Sequence, residues 1–303
     1  MRFFLKISIY CIFAFLLNPA FSQTQDASCP LENKTIAVHG GTISYLVGGK
    51  GPPVLLIHGL FAQKEQWMDV GCVLAKEGFE VFAMDLPGYG ASSGYPVTVY
   101  SLESQVEILH EWLLVLGKRL GKNTEAAGIN IAGSSMGGTI AALYAKNYPN
   151  DIKTLAFIGA PMGVIGWSPQ VKKAIFEGIN PFIPINEKQF DLEMGLLFFQ
   201  PPMIDAGIKE KLIQDYKDNN RHYQQVWNIV NFYGQALVGP AKQSPRTLIL
   251  WGEQDGIFNI EGIWQLKKEF ANSQATQFSD SAHLLMLEQP KRVAKIYGDF
   301  LRK

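Results

Sequence analysis

Two hydrophobic rhythms run along the chain. Short unbroken apolar runs of four to six residues mark strands buried on both faces. Longer stretches with apolar residues three or four apart mark helices that bury one stripe. Thr35–His39 and Ile43–Val47 flank Gly40-Gly41 and predict a hairpin. Pro53–His58 then reads as a buried strand, Glu65–Lys76 as a helix and Phe79–Met84 as a second buried strand. Leu102–Leu116 carries Val106, Leu109, Leu113 and Leu116 at near-helical spacing. A short strand, Ile129–Ala132, follows. An alanine-rich helix, Met136–Asn147, ends before Pro149, and Thr154–Ile158 is the next strand.

The rhythm breaks between about Pro161 and Pro245. That segment is rich in Phe, Trp, Met, Ile and Pro, with helix-like stretches at Gln170–Glu177, Glu187–Phe199, Ala206–Asn219 and His222–Ala236. Alternation resumes with the strand Arg246–Trp251, the helix Ile260–Ala271, the strand Ala275–Phe278 and the helix Lys291–Leu301. Alternating strands and helices predict an α/β fold with a mostly parallel sheet and helices on both faces. The expected organisation is a core of residues 23–160 and 246–303 with a helical cap, 161–245, inserted over the carboxyl edge of the sheet. Open α/β sheets place their sites at that edge.

The N-terminus has a different character. Arg2 and Lys6 precede an apolar run, Ile7–Leu17, broken by Asn18-Pro19, and Ala20-Phe21-Ser22 offers small residues at a cleavage site. Residues 1–22 read as a secretory signal peptide, which implies a secreted or periplasmic protein. The alternative is an N-terminal membrane anchor, for which the run is short. Cys11 would leave with the signal, and Cys29 and Cys72 remain as a disulfide or as two free thiols. The chain has 303 residues, 47% of them hydrophobic, with lysine plus arginine equal to aspartate plus glutamate at 27 each. No basic excess or basic run points to nucleic acid.

Gly133-Ser134-Ser135-Met136-Gly137 fits G-x-S-x-G between a predicted strand and a predicted helix. Such a turn is sharp, needs small neighbours and exposes the nucleophile at a helix N-terminus, where developing negative charge is favoured. Ser135 is therefore the candidate nucleophile. A serine hydroxyl needs a base. Among five histidines, His58 ends a buried strand, His39 flanks the hairpin, His110 lies in a helix and His222 in the cap. His283 stands in the loop between the last strand and the last helix and is the candidate base. Asp255, after the strand Arg246–Trp251, is the candidate acid that fixes its tautomer, with Glu253 the nearest rival. After Thr154–Ile158, the other place for an acid, stand Gly159, Ala160 and Pro161, with no carboxylate. The order Ser, Asp, His suits this fold. Backbone N–H groups of Met136 and Leu60, with Phe61 the less favoured choice for the second, are the expected oxyanion donors.

These segments resemble the α/β-hydrolase superfamily over nearly all of the chain that follows the signal. His58-Gly59, Asp85-Leu86-Pro87-Gly88-Tyr89-Gly90-Ala91-Ser92, Gly133–Gly138, Trp251–Asp255 and His283 carry the resemblance. It implies the α/β-hydrolase fold and makes Asp85 part of a structural turn. Serine at the nucleophile position sets the chain apart from epoxide hydrolases and haloalkane dehalogenases of the same fold. Within the superfamily the chain is similar to capped monoacylglycerol lipases and to small bacterial lipases and esterases. His58–Trp67, the methionine after Ser135, and Asn219–Tyr223 carry that finer likeness.

The cap bears on substrate. Met162, Trp167, Phe182, Leu197, Phe198 and Phe199 belong to an apolar set there, and Arg221 is its lone arginine, so no cluster stands ready for phosphate or dicarboxylate. Phe61, Trp167, Phe198 and Phe199 are the expected substrate-binding residues. The expected partner is a small acyl ester or a lipid such as a monoacylglycerol, with transient membrane-surface contact through the cap. The expected reaction is two-step acyl transfer, with no metal or organic cofactor. The same triad would serve carbon–carbon or amide hydrolysis, and the fold alone would serve a non-catalytic binder.

Overall fold

A computed structural model describes residues 29–120, 128–232 and 244–303. The expected signal segment, Cys11 and residues 233–236 of the last cap helix lie outside the described residues. The sheet has eight strands: β1 (Glu32–Val38), β2 (Gly41–Gly48), β3 (Pro53–Ile57), β4 (Glu80–Met84), β5 (Ile129–Gly133), β6 (Ile152–Ile158), β7 (Arg246–Gly252) and β8 (Ser273–Phe278). Their spatial order is β1-β2-β4-β3-β5-β6-β7-β8. Pairing is antiparallel from β1 to β2 and from β2 to β4, and parallel elsewhere.

Val54, Leu55, Leu56 and Ile57 of β3 have no exposed surface. Each such side chain contributes roughly 1.5–3 kcal/mol by leaving water. Helices flank the sheet: α1 (Met68–Lys76), α2 (Leu102–Leu120), α3 (Met136–Asn147), α8 (Gly262–Glu269), a one-turn α9 (Leu285–Glu288) and α10 (Pro290–Leu301). The expected helix Glu65–Lys76 is split. A 3-10 turn, Lys64–Trp67, leads into α1.

Between β6 and β7 the chain leaves the sheet for four helices: α4 (Pro169–Phe176), α5 (Glu187–Leu197), α6 (Ala206–Asp218) and α7 (Asn220–Asn231). Local sequence starts three of them. Ser168, Asn186 and Asp205 accept hydrogen bonds from backbone N–H groups of the first turns of α4, α5 and α6. Cys29 and Cys72 form a disulfide, which closes the alternative left open by the sequence. Among the described residues no helix is long and apolar enough to cross a membrane.

Candidate active site

Strand order fixes where the site lies. From β3 the chain crosses to β4 on one side and later to β5 on the other, so a crevice opens where β3 and β5 end side by side. Ile57 pairs with Gly133 there, and the segments beyond each strand meet. A Cβ placed on Gly59 would lie 3.3 Å from the Ser135 Cβ.

Ser135 occupies the turn between β5 and α3 with φ 52° and ψ −123°. A non-glycine residue in that region stores about 1–3 kcal/mol of backbone strain. Small neighbours make the turn possible. A Cβ on Gly133 would collide with the Gly137 carbonyl, and one on Gly137 with the carbonyls of Ile57 and His58. Among the described residues the backbone N–H groups of Leu60 and Met136 have no acceptor within the chain.

His283 and Asp255 are brought together from two loops. The His283 Nδ1 lies 2.9 Å from Asp255 Oδ2, and both side chains are almost wholly buried. Asp255 Oδ1 accepts the Ile257 and Phe258 N–H groups at 2.8 and 3.0 Å, so its own turn holds the carboxylate in place. The rival Glu253 is exposed, and Asp280 sits at the surface near Arg292.

His58 and Asp85 are fixed elsewhere. His58 Nδ1 donates to the Gly59 carbonyl at 2.8 Å, and its Nε2 accepts the Leu86 N–H at 3.0 Å. Complete burial pushes its pKa down to about 4. Asp85 accepts the backbone N–H groups of Lys64 and Ala91 and the Lys64 ammonium, all within 2.9 Å. These bonds tie the loop after β4 to the loop after β3.

A cavity enclosing about 640 Å³, part of it open to solvent, lies above the sheet edge. Ser135, His283, Gly59, Leu60 and Phe61 line its floor, and Trp167, Phe182, Glu193, Leu197, Tyr216 and Trp227 come from the cap. Trp167 stacks on Phe258 and on Trp227, with centroids 4.9 and 5.7 Å apart, and Phe258 lies 5.8 Å from the His283 ring.

Phe198 and Phe199 are not in this cavity. Helix α5 ends at Leu197, two residues earlier than the apolar run suggested, and Phe198 turns to extended backbone at φ −124°. Phe198 is buried in the core, Phe199 is partly exposed, and Leu197 takes the lining position. Glu193, Tyr216, Trp227 and Ile257 also line the cavity, beyond the residues expected from the sequence. Helical spacing from Trp227 back to Tyr223 was the available signal for the α7 face.

The cap is bonded to the loops that carry Asp255 and His283. The Leu196 and Leu197 carbonyls at the end of α5 accept the N–H groups of Gly256 and Leu284 at 3.2 and 3.1 Å. Ser168 donates its hydroxyl to the Gly256 carbonyl at 2.6 Å. Glu288 joins the two sides. Its Oε1 accepts the Phe199 and Gln200 N–H groups and its Oε2 accepts the Ala282 N–H at 2.7 Å. Burial raises the Glu288 pKa, against the opposing effect of these N–H groups.

A strained serine where β5 meets α3, beside the point at which strand order reverses, is the arrangement of α/β hydrolases. A family model described as alpha/beta hydrolase fold matches residues 52–187 and 200–290, and the chain belongs to that family. It is 27% identical to monoacylglycerol lipase ABHD6 of Bos taurus, over 84% of this chain and 76% of the relative. It is 30% identical to Lipase 3 of Moraxella sp. (strain TA144), over 82% of this chain and 77% of that one. The crystal structure of a membrane phospholipase A, a bacterial virulence factor, superposes with a TM-score of 0.76 at 27% identity, covering 96% of this chain and 92% of the other. The protein is an enzyme of the carboxylesterase and lipase kind.

Proposed function

We propose that the enzyme hydrolyses uncharged apolar acyl esters, monoacylglycerols among them, through an acyl-enzyme on Ser135. Ser135 attacks the ester carbonyl while His283 takes its proton, and Asp255 holds the imidazole and stabilises its charged form. The Leu60 and Met136 N–H groups receive the oxyanion. His283 then protonates the departing alcohol, and water releases the acid. The observation that carries this reading is the 2.9 Å bond between His283 and Asp255 beside a cavity that Ser135 also lines. Phe61, Trp167, Phe182 and Trp227 give that cavity an apolar wall suited to an acyl chain. The names of its lipase relatives favour the same substrate class.

The reading extends to location. The Cys29–Cys72 disulfide suits an oxidising compartment, in keeping with secretion or export to the periplasm. Exposed Phe176, Met203 and Phe232 in the cap segment suit contact with a lipid surface.

The test is a series of acyl esters of rising chain length, with wild-type enzyme and Ser135→Ala, beside labelling by a fluorophosphonate probe. Labelling confined to wild type and turnover of medium-chain or long-chain esters is the expected result. Activity on short esters alone would reject the lipid reading, and labelling of Ser135→Ala would reject the nucleophile.

A further inference from the structure

Among the described residues, Glu193 is the one carboxyl group that lines the cavity, and ester hydrolysis leaves it unused. It sits on α5 with 4% of its surface exposed, among the aromatic side chains of the cap. Among the described residues neither carboxyl oxygen has a hydrogen-bond partner, and Oε2 is sealed from solvent. An unpaired buried carboxyl is a large penalty for the fold. Leucine or methionine at that helical position would avoid it. Among the described residues no lysine or arginine lines the cavity. Burial pushes the Glu193 pKa well above the ordinary carboxylate range, which favours the neutral acid form, with one O–H donor and an acceptor oxygen.

We infer that Glu193 is a substrate-selecting residue whose carboxyl receives a hydroxyl group of the ester. A hydroxyl matches an acid that both donates and accepts, and it adds no charge to an apolar cavity. A cationic head group would instead call for an ionised carboxylate. This inference rests on ester hydrolysis at Ser135 and narrows it to esters with a free hydroxyl, carried by the alcohol or by the acyl chain.

The test compares kcat and KM of wild type, Glu193→Gln, Glu193→Leu and Glu193→Met. The substrates are glyceryl monodecanoate, ethyl decanoate, ethyl hydroxydecanoate and decanoylcholine. Wild type is expected to prefer a hydroxylated ester over ethyl decanoate by about tenfold or more in kcat/KM. The apolar variants lose that preference, chiefly through a raised KM for the hydroxylated ester relative to ethyl decanoate. Glu193→Gln, which keeps a donor and an acceptor, retains most of it. Whichever hydroxylated ester loses its advantage shows which half of the substrate the residue reads. Thermal melting checks that each variant folds, and Glu193→Met stands in if Glu193→Leu does not. An unchanged preference in the apolar variants overturns the assignment, as does dependence on Glu193 for decanoylcholine alone. Failure of wild type on every ester would strike the parent reading instead, so the two failures are distinguishable.

Discussion

The carboxylate of Asp255 divides its two oxygens, one to the imidazole of His283 at 2.9 Å and one to the backbone N–H groups of Ile257 and Phe258. Asparagine at this position can keep the backbone bonds through its oxygen, which turns its amide NH2 toward His283 Nδ1. That nitrogen must then accept, and the proton moves to the ring nitrogen that should act as base. Asp255→Asn is expected to fold normally and to lose about 10³–10⁴ in kcat. Thermal melting and steady-state kinetics check both halves. A loss of less than tenfold would remove Asp255 from the proposed relay.

Glu288 gathers three N–H groups, two from the segment after α5 and one from the turn before His283. Glu288→Ala leaves the Ala282 N–H without its acceptor. A destabilisation of about 2 kcal/mol is expected in denaturant titration. Glu288→Gln should fall in between, because one of its two terminal groups is a donor facing a donor. Both variants should also lower kcat, since Ala282 precedes His283 directly. Wild-type kcat in Glu288→Ala would show that the His283 loop holds itself.

The buried His58 makes a pH prediction with a definite sign. Its folded pKa of about 4 lies below the ordinary value of 6.5. Above 6.5 both the folded and unfolded chains hold it neutral, and its contribution is fully present. As pH falls from 6.5 towards 4, the unfolded chain takes up a proton that the folded chain refuses, and stability drops by roughly 3 kcal/mol. Glu193 and Glu288, whose pKa values are raised, act in the opposite sense. The measurement is therefore the difference in unfolding free energy between wild type and His58→Gln, followed from neutral pH to acid. That difference should shift against wild type as pH falls, and a flat profile would contradict the neutral buried imidazole.

The disulfide between Cys29 and Cys72 closes a loop with a sequence separation of 43. By chain-entropy arguments such a link stabilises the fold by up to about 4 kcal/mol. Cys72→Ala should lower the denaturation midpoint, and reducing agent should shift wild type to the same place without moving the variant. A reductant effect on the variant would point to a different cause.

The α/β succession and the position of Ser135 were legible because both are local. Unbroken apolar runs mark β3, β4 and β5, and three glycines within the turn announce a close strand-to-helix approach. Asp255 and His283 were legible as loop residues after strands, though only folding brings them within 2.9 Å. Phe198 and Phe199 misled because an apolar run does not show where α5 stops, and two residues past the stop the face is lost. Glu193 went unnoticed for the opposite reason. A glutamate in a polar helical stretch reads as solvated, and only the seating of α5 over the sheet edge puts it inside. Glu288 was hidden likewise, since its partners lie 88 and 89 residues away in the sequence.

The bonds from the Leu196 and Leu197 carbonyls to Gly256 and Leu284 make the end of α5 a post rather than a door. Lifting it would fray the turns beside Asp255 and His283 together, so an enzyme gaping at that point would be disarmed. Under the proposed reaction, ester and acid are therefore expected to pass elsewhere along the roof of the cavity.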